Sequence, residues 1–150
     1  MLEAIGGWPG AVWLQQSGTA YLFVNAAHIL GIGLLLGGIL PLDLRLMGWF
    51  ARAPVEVLGP FLTRVAASGL GLAIVTGAWL FTVNPVEYFG NAAFRWKVLL
   101  LAIALVNVGF QHHVTRTNHW KSALATRFSA ALSLGLWLGV LVAGRWIGFV

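Results

Sequence analysis

The stretch Ala20-Tyr-Leu-Phe-Val-Asn25-Ala-Ala-His28-Ile-Leu-Gly-Ile-Gly-Leu-Leu-Leu-Gly37-Gly-Ile-Leu40 is apolar enough to cross a bilayer, yet it carries an asparagine and a histidine. A spanning helix needs about 20 predominantly apolar residues, and this run supplies them without a formal charge. Three further runs share its character, at roughly residues 61–83, 92–114 and 128–150. None alternates with the period of a barrel strand, and each can satisfy its own backbone as a helix. The fold class expected is therefore an all-α integral membrane protein, an antiparallel four-transmembrane-helix bundle joined by short loops.

Residues 1–18 contain Ile5-Gly-Gly-Trp8-Pro9-Gly-Ala-Val-Trp13-Leu-Gln-Gln-Ser-Gly18, too broken to span. Two tryptophans suit the headgroup region, so this segment reads as a short interfacial lead-in. Pro41 and Pro60 are expected to bracket the first loop, and Asn84-Pro85 to punctuate the second.

Composition agrees with this class. Of 150 residues, 59% are hydrophobic and 9% charged, against about a quarter charged in a soluble domain. Mean hydropathy is +0.87. The length suits a single membrane domain, residues 1–150. Cysteine is absent, which excludes disulfides, thiolate metal sites and iron–sulfur clusters. The net charge of +5 sits on loop edges, matching anionic headgroups and topology signals better than nucleic acid. Met1-Leu-Glu3 lacks a basic n-region, so no cleavable signal peptide is expected. Arg45, Arg52, Arg64, Arg116, Lys121 and Arg127 fall on one side; Arg95, Lys97 and Arg145 fall on the other. That asymmetry predicts a multi-pass protein with both termini outside and the two basic loops in the cytoplasm.

Small residues recur at helical spacing: Gly33 with Gly37, Ala73 with Gly77, and the ladder Ala131, Gly135, Gly139, Ala143. In lipid, such stripes let helices approach closely, or leave room for a flat cofactor.

The polar residues within the spans carry the functional question, because they tend to face a bundle interior and to pair or to act. His28 falls close to the midplane, and Asn25 lies one turn further out on the same face. Three readings stand for His28. It is a structural imidazole whose tautomer Asn25 sets, an axial ligand of haem b with Asn25 supporting the haem site as a hydrogen-bond donor or acceptor, or a proton-relay or quinone contact. On the third span, Asn107 and Gln111 form a second stripe, followed by His112, His113, Arg116, Asn118 and His119. His28 and His112 differ in height by roughly 15 Å at about 1.5 Å per residue, too far apart to clamp one iron. His112 is then a candidate ligand of a separate inner haem or copper site. His112 and His113 point about 100° apart on a helix, and with His119 they also suit a cytoplasmic rim.

Met1 and Met47 lie too far from His28 to complete its iron. Lys97, in Phe94-Arg95-Trp96-Lys97, sits about a turn and a half nearer the outer surface than His28. It is either the second ligand of a haem or a snorkelling anchor alongside Arg95 and Trp96. Arg95 is a candidate partner for a haem propionate. Asp43 and Arg45, beside Pro41, suit a local ion pair that Arg64 closes, or a quinone-headgroup or anionic-substrate site.

The pattern His28-Ile-Leu-Gly…Gly37-Gly-Ile-Leu-Pro-Leu-Asp43-Leu-Arg45-Leu-Met-Gly48 resembles a widespread bacterial family of four-span membrane proteins of unknown function. Thr76-Gly77-Ala-Trp-Leu-Phe81, Asn91-Ala-Ala-Phe94-Arg-Trp-Lys97 and Asn107-Val-Gly-Phe-Gln-His112 are similar to that family too. That resemblance implies a fold and no activity. More distantly, the chain resembles the HemJ-type protoporphyrinogen oxidases, small four-helix proteins with a first-helix histidine and a third-helix lysine. His28 and Lys97 match those positions in kind, while the tyrosine-proline-arginine signature is replaced by Leu40-Pro41-Leu42-Asp43. The first-helix histidine followed by glycines also resembles the membrane domain of copper-resistance protein D. Thioether ligands for copper are nearly missing, with Met1 and Met47 alone.

Together these readings predict a small b-type haem-binding membrane protein working in electron transfer or haem-dependent redox chemistry, with a quinone or a periplasmic redox partner. The alternative is a non-catalytic subunit or assembly factor of a larger complex or oligomer, its buried histidine purely structural. A solute transporter is disfavoured, since neither inverted repeats nor a midplane array of charges appears.

Overall fold

A computed structural model of the chain describes residues 2–50, 52, 54–116 and 123–149, with backbone alone for 113–116. The side chains of His113 and Arg116, and Met1, Asn118, His119 and Lys121, lie outside the described residues. The described residues form helices and no strand: α1 (Leu2–Gly6), α2 (Pro9–Gln16), α3 (Gly18–Met47), α4 (Val55–Phe81), α5 (Pro85–Gly90), α6 (Ala92–Arg116) and α7 (Ala123–Trp146), with a terminal 3-10 turn at Ile147–Phe149. Gly18–Leu46, Val55–Phe81, Ala92–His112 and Ala123–Phe149 are long and apolar enough to cross a membrane. No more than 22% of any span's most apolar window is buried within the protein. Side chains such as Phe23, Leu30, Val75, Val106 and Phe128 are exposed. An all-round apolar helix with this little internal cover is suited to lipid as its solvent. The chain is an all-α, four-span membrane protein.

Both prolines expected to bound the first loop lie inside helices instead: Pro41 within α3 and Pro60 within α4. Each removes one backbone N–H. In a span, unwinding a turn at the proline exposes more unpaired backbone than the single lost bond, so the helix continues through it. The stop comes at Gly48, whose φ of 105° suits a residue without a Cβ. Its N–H bonds Arg45 O at 3.1 Å and the Trp49 N–H bonds Leu44 O at 3.0 Å, the paired closure of a Schellman end. Asn84-Pro85 does punctuate, with Pro85 at the first position of α5.

The chain divides into two compact units, each described by itself. The first comprises Met1–Gly38 and Thr63–Asn91. Its core is a close crossing of α3 and α4. A Cβ built on Gly31 would lie 2.7 Å from Ala73 N, and one on Gly69 would lie 2.7 Å from Gly31 O and press on Leu35 N. Only glycine admits backbones this close, as in small-residue crossings in membranes. Gly33 and Gly37, the pair expected to make such a crossing, meet nothing within 4 Å. The N-terminal helices join the end of α4. Trp79 Nε1 donates to Gly10 O at 3.1 Å, and Trp13 stacks on Trp79 with centroids 6.0 Å apart. The Gln15 amide donates to both Gly6 O and Val83 O, at 3.2 and 2.9 Å.

The second unit comprises Ile39–Leu62 and Ala92–Val150. Here α6 and α7 pack antiparallel: Lys97 lies against Gly144, Leu100 against Gly139, and Gln111 Nε2 donates to Ser129 O at 3.2 Å. In each pair one residue number falls as the other rises, which fixes the register along the two helices. At the end of α3, the Arg127 guanidinium of α7 lies against Gly48. There it faces the carbonyl-rich helix terminus, where a cation is favoured.

Candidate functional site around His28

His28 lies in the α3 part of the first unit, half-buried against α4. Thr76, itself buried, brings its hydroxyl to 3.1 Å from His28 Nδ1. The same hydroxyl lies 2.6 Å from Leu72 O, so it donates along its own helix. Its proton being committed, Thr76 Oγ1 accepts from Nδ1–H. In the neutral imidazole this assigns the proton to Nδ1 and makes Nε2 the lone-pair nitrogen.

Gly77 supplies the floor. A Cβ there would sit 2.8 Å from His28 Cε1 and 3.3 Å from Nδ1, so the ring edge occupies the space a methyl group would need. The arrangement is local in origin: α4 presents a β-branched hydroxyl residue and a glycine side by side, one to hold the ring and one to admit it. Asn25, expected to set the tautomer, is half-buried one turn away on α3, and the described hydrogen bond at Nδ1 is donated to Thr76 Oγ1.

The other candidates lie in the second unit. Lys97 is half-buried, with Cε 3.3 Å and Nζ 3.6 Å from the position of a Cβ on Gly144. Arg95 is exposed and, with Ala92, Trp96 and Leu99, lines an open depression of about 330 Å³. His112 is exposed on α6. Among the described residues, no group of three or more His, Cys, Asp or Glu side chains converges to hold a metal ion. The Asp43–Arg45 pairing expected near Pro41 gives way to another arrangement: Asp43 is buried and hydrogen-bonded to Ser133 of α7. Residues two apart on a helix project roughly 200° apart, so Arg45 points away from the face that Asp43 buries.

Thr76 and Ser133 are the partners that sequence reasoning left unassigned. Their signal was present but weak, a lone hydroxyl inside an apolar run, which a helix readily absorbs by bonding its own carbonyls. Beside the first span, Tyr88 of α5 hydrogen-bonds Tyr21. Burial, then the neighbouring Tyr21 and Glu87, push its phenol above the usual range.

No family model, curated protein or solved structure matches this chain.

Proposed function

We propose that the chain is a small membrane-embedded b-type haem protein of the bacterial inner membrane, in which His28 would hold the haem iron. The observation that carries this reading is the His28–Thr76–Leu72 hydrogen-bond relay. A ligating histidine commonly donates its other ring N–H to a fixed oxygen, which sets the tautomer and ring orientation. Thr76 performs that task, and Gly77 lets the ring lie against the helix while held. A lone histidine suffices for haem, because the macrocycle supplies the remaining nitrogens. A bound haem iron supplies one-electron transfer, for which a quinone or a periplasmic protein is the proposed partner. The arginine and lysine distribution over the loops supports termini on the outer side.

The test is the spectrum of protein purified in detergent. A Soret band in the wild type that is lost in His28→Ala is the expected result.

A second reading, a non-catalytic membrane subunit or assembly factor, is favoured by one observation. A Cβ built on Gly33 or Gly37 of α3 would meet none of the described residues within 4 Å, and the exposed Ile29 and Leu30 lie one turn away. That face suits a partner helix. A colourless preparation that elutes in a larger complex, with α3 cross-linking to another chain at this stripe, would select it.

A further inference from the structure

Among the described residues, three buried side-chain atoms have no hydrogen-bond partner: Asp43 Oδ2, Asn107 Nδ2 and Trp137 Nε1. All three belong to the second unit. Buried polar atoms are rarely left unsatisfied.

The geometry brings two of them to one level. Asp43, only 3% exposed, reaches Ser133 of α7 from the end of α3. Gln111 on α6 bonds Ser129 on α7, and Leu100 lies against Gly139. One turn inward from the first pair, the antiparallel register sets Asn107 opposite Ser133. Asn107 is half-buried on the same α6 stripe as Lys97, Leu100, Ala104 and Gln111. The register thus places a carboxylate, a hydroxyl and an amide from three helices at one level of the unit. Trp137, one turn beyond Ser133 on the same helix face, is 1% exposed.

The oxygen and nitrogen of an asparagine amide are assigned by their partners. With the Asn107 amide turned, its oxygen joins the Asp43 carboxylate and the Ser133 hydroxyl in a set of hard donors with a single negative charge. Among the described residues no ion pair neutralises Asp43, and a lone charge within a span is unfavourable. We propose that Asp43, Ser133 and Asn107 form a binding site for a desolvated monovalent cation of the sodium class. One carboxylate balances one such ion, leaving no net charge in lipid. A divalent ion would leave a surplus charge in lipid. Asp43 Oδ2 and the inward atom of the Asn107 amide are closed to a water-sized probe, which favours sodium, smaller when bare than a water molecule, over potassium.

The site is independent of the haem reading, and so is its test. Thermal unfolding of the detergent-solubilised protein is followed in sodium, potassium and choline chloride at equal ionic strength. The midpoint is expected to rise with sodium and saturate, to move less with potassium, and not to respond in Asp43→Asn. Asn107→Leu, which keeps the branching at Cγ and removes the amide, is expected to raise the sodium concentration needed for half the effect at least tenfold. Equal midpoints in sodium and choline chloride for the wild type would leave Asp43 to a proton and overturn the proposal. A sodium response undiminished in Asn107→Leu would also overturn it, by showing that the ion binds elsewhere.

Discussion

The His28 imidazole and the Thr76 hydroxyl, 48 residues apart in the chain, meet at 3.1 Å and join α3 to α4. Removing the hydroxyl strands a half-buried Nδ1–H in a medium with little water to replace it. Thr76→Val is expected to lower stability by about 1–3 kcal/mol, and Thr76→Ser to restore most of it. Unfolding in detergent, followed by circular dichroism, measures both. With haem bound, the same Val variant is expected to shift the Soret maximum, since the ring loses its orienting partner.

Gly69 lies where α3 and α4 touch through their backbones, whereas a Cβ on nearby Gly71 would meet nothing within 4 Å. Gly69→Ala is expected to destabilise by about 1–3 kcal/mol through overpacking. Gly71→Ala is expected to be neutral, or stabilising by up to about 1 kcal/mol through helix propensity. Reversing that order in paired unfolding curves would contradict the close crossing.

Gly48 closes α3 with a positive φ. A side chain in that conformation is disfavoured by about 1–2 kcal/mol. Gly48→Ala is expected to lose that amount, and Gly48→Asn less, because asparagine tolerates the left-handed region better. Proteolysis of the loop after α3 is a sensitive readout, as fraying of this end raises cleavage.

Tyr88 provides a pH signature. Its phenol is pushed up by burial first, then by Tyr21 and Glu87. The folded state therefore holds the Tyr88 proton above pH about 10, where an unfolded tyrosine releases it. Above that pH the unfolded chain binds fewer protons, so stability falls as pH rises. Unfolding midpoints are expected to drop above pH about 10 in the wild type, and to drop less steeply in Tyr88→Phe. Absorbance near the phenolate band should show a late-titrating component that the variant lacks.

The spans were legible because twenty apolar residues in a row admit few alternatives, and His28 was legible because an imidazole among them is conspicuous. Proline was misleading: rules drawn from water place a loop at Pro41 and Pro60, whereas helices that face lipid run through both. Glycine spacing misled in another way. Gly33-x-x-x-Gly37 has the right period, but the crossing uses Gly31 with Gly69 and Ala73, because rotation about the helix axis depends on the partner. The polar partners were hardest to read. Thr76 and Ser133 are small residues whose meaning depends on which helix lies opposite, and a single sequence carries no record of that pairing.

The backbone contact at Gly31 and Gly69 has a mechanical consequence. Sliding α4 along α3 by one residue would swing a neighbouring side chain, Leu70 or Ser68, into a gap that admits hydrogen alone. The two rods are thus indexed, with a single permitted notch. The hydroxyl meets the ring because that notch aligns them, and the alignment would persist if the bond between them were cut.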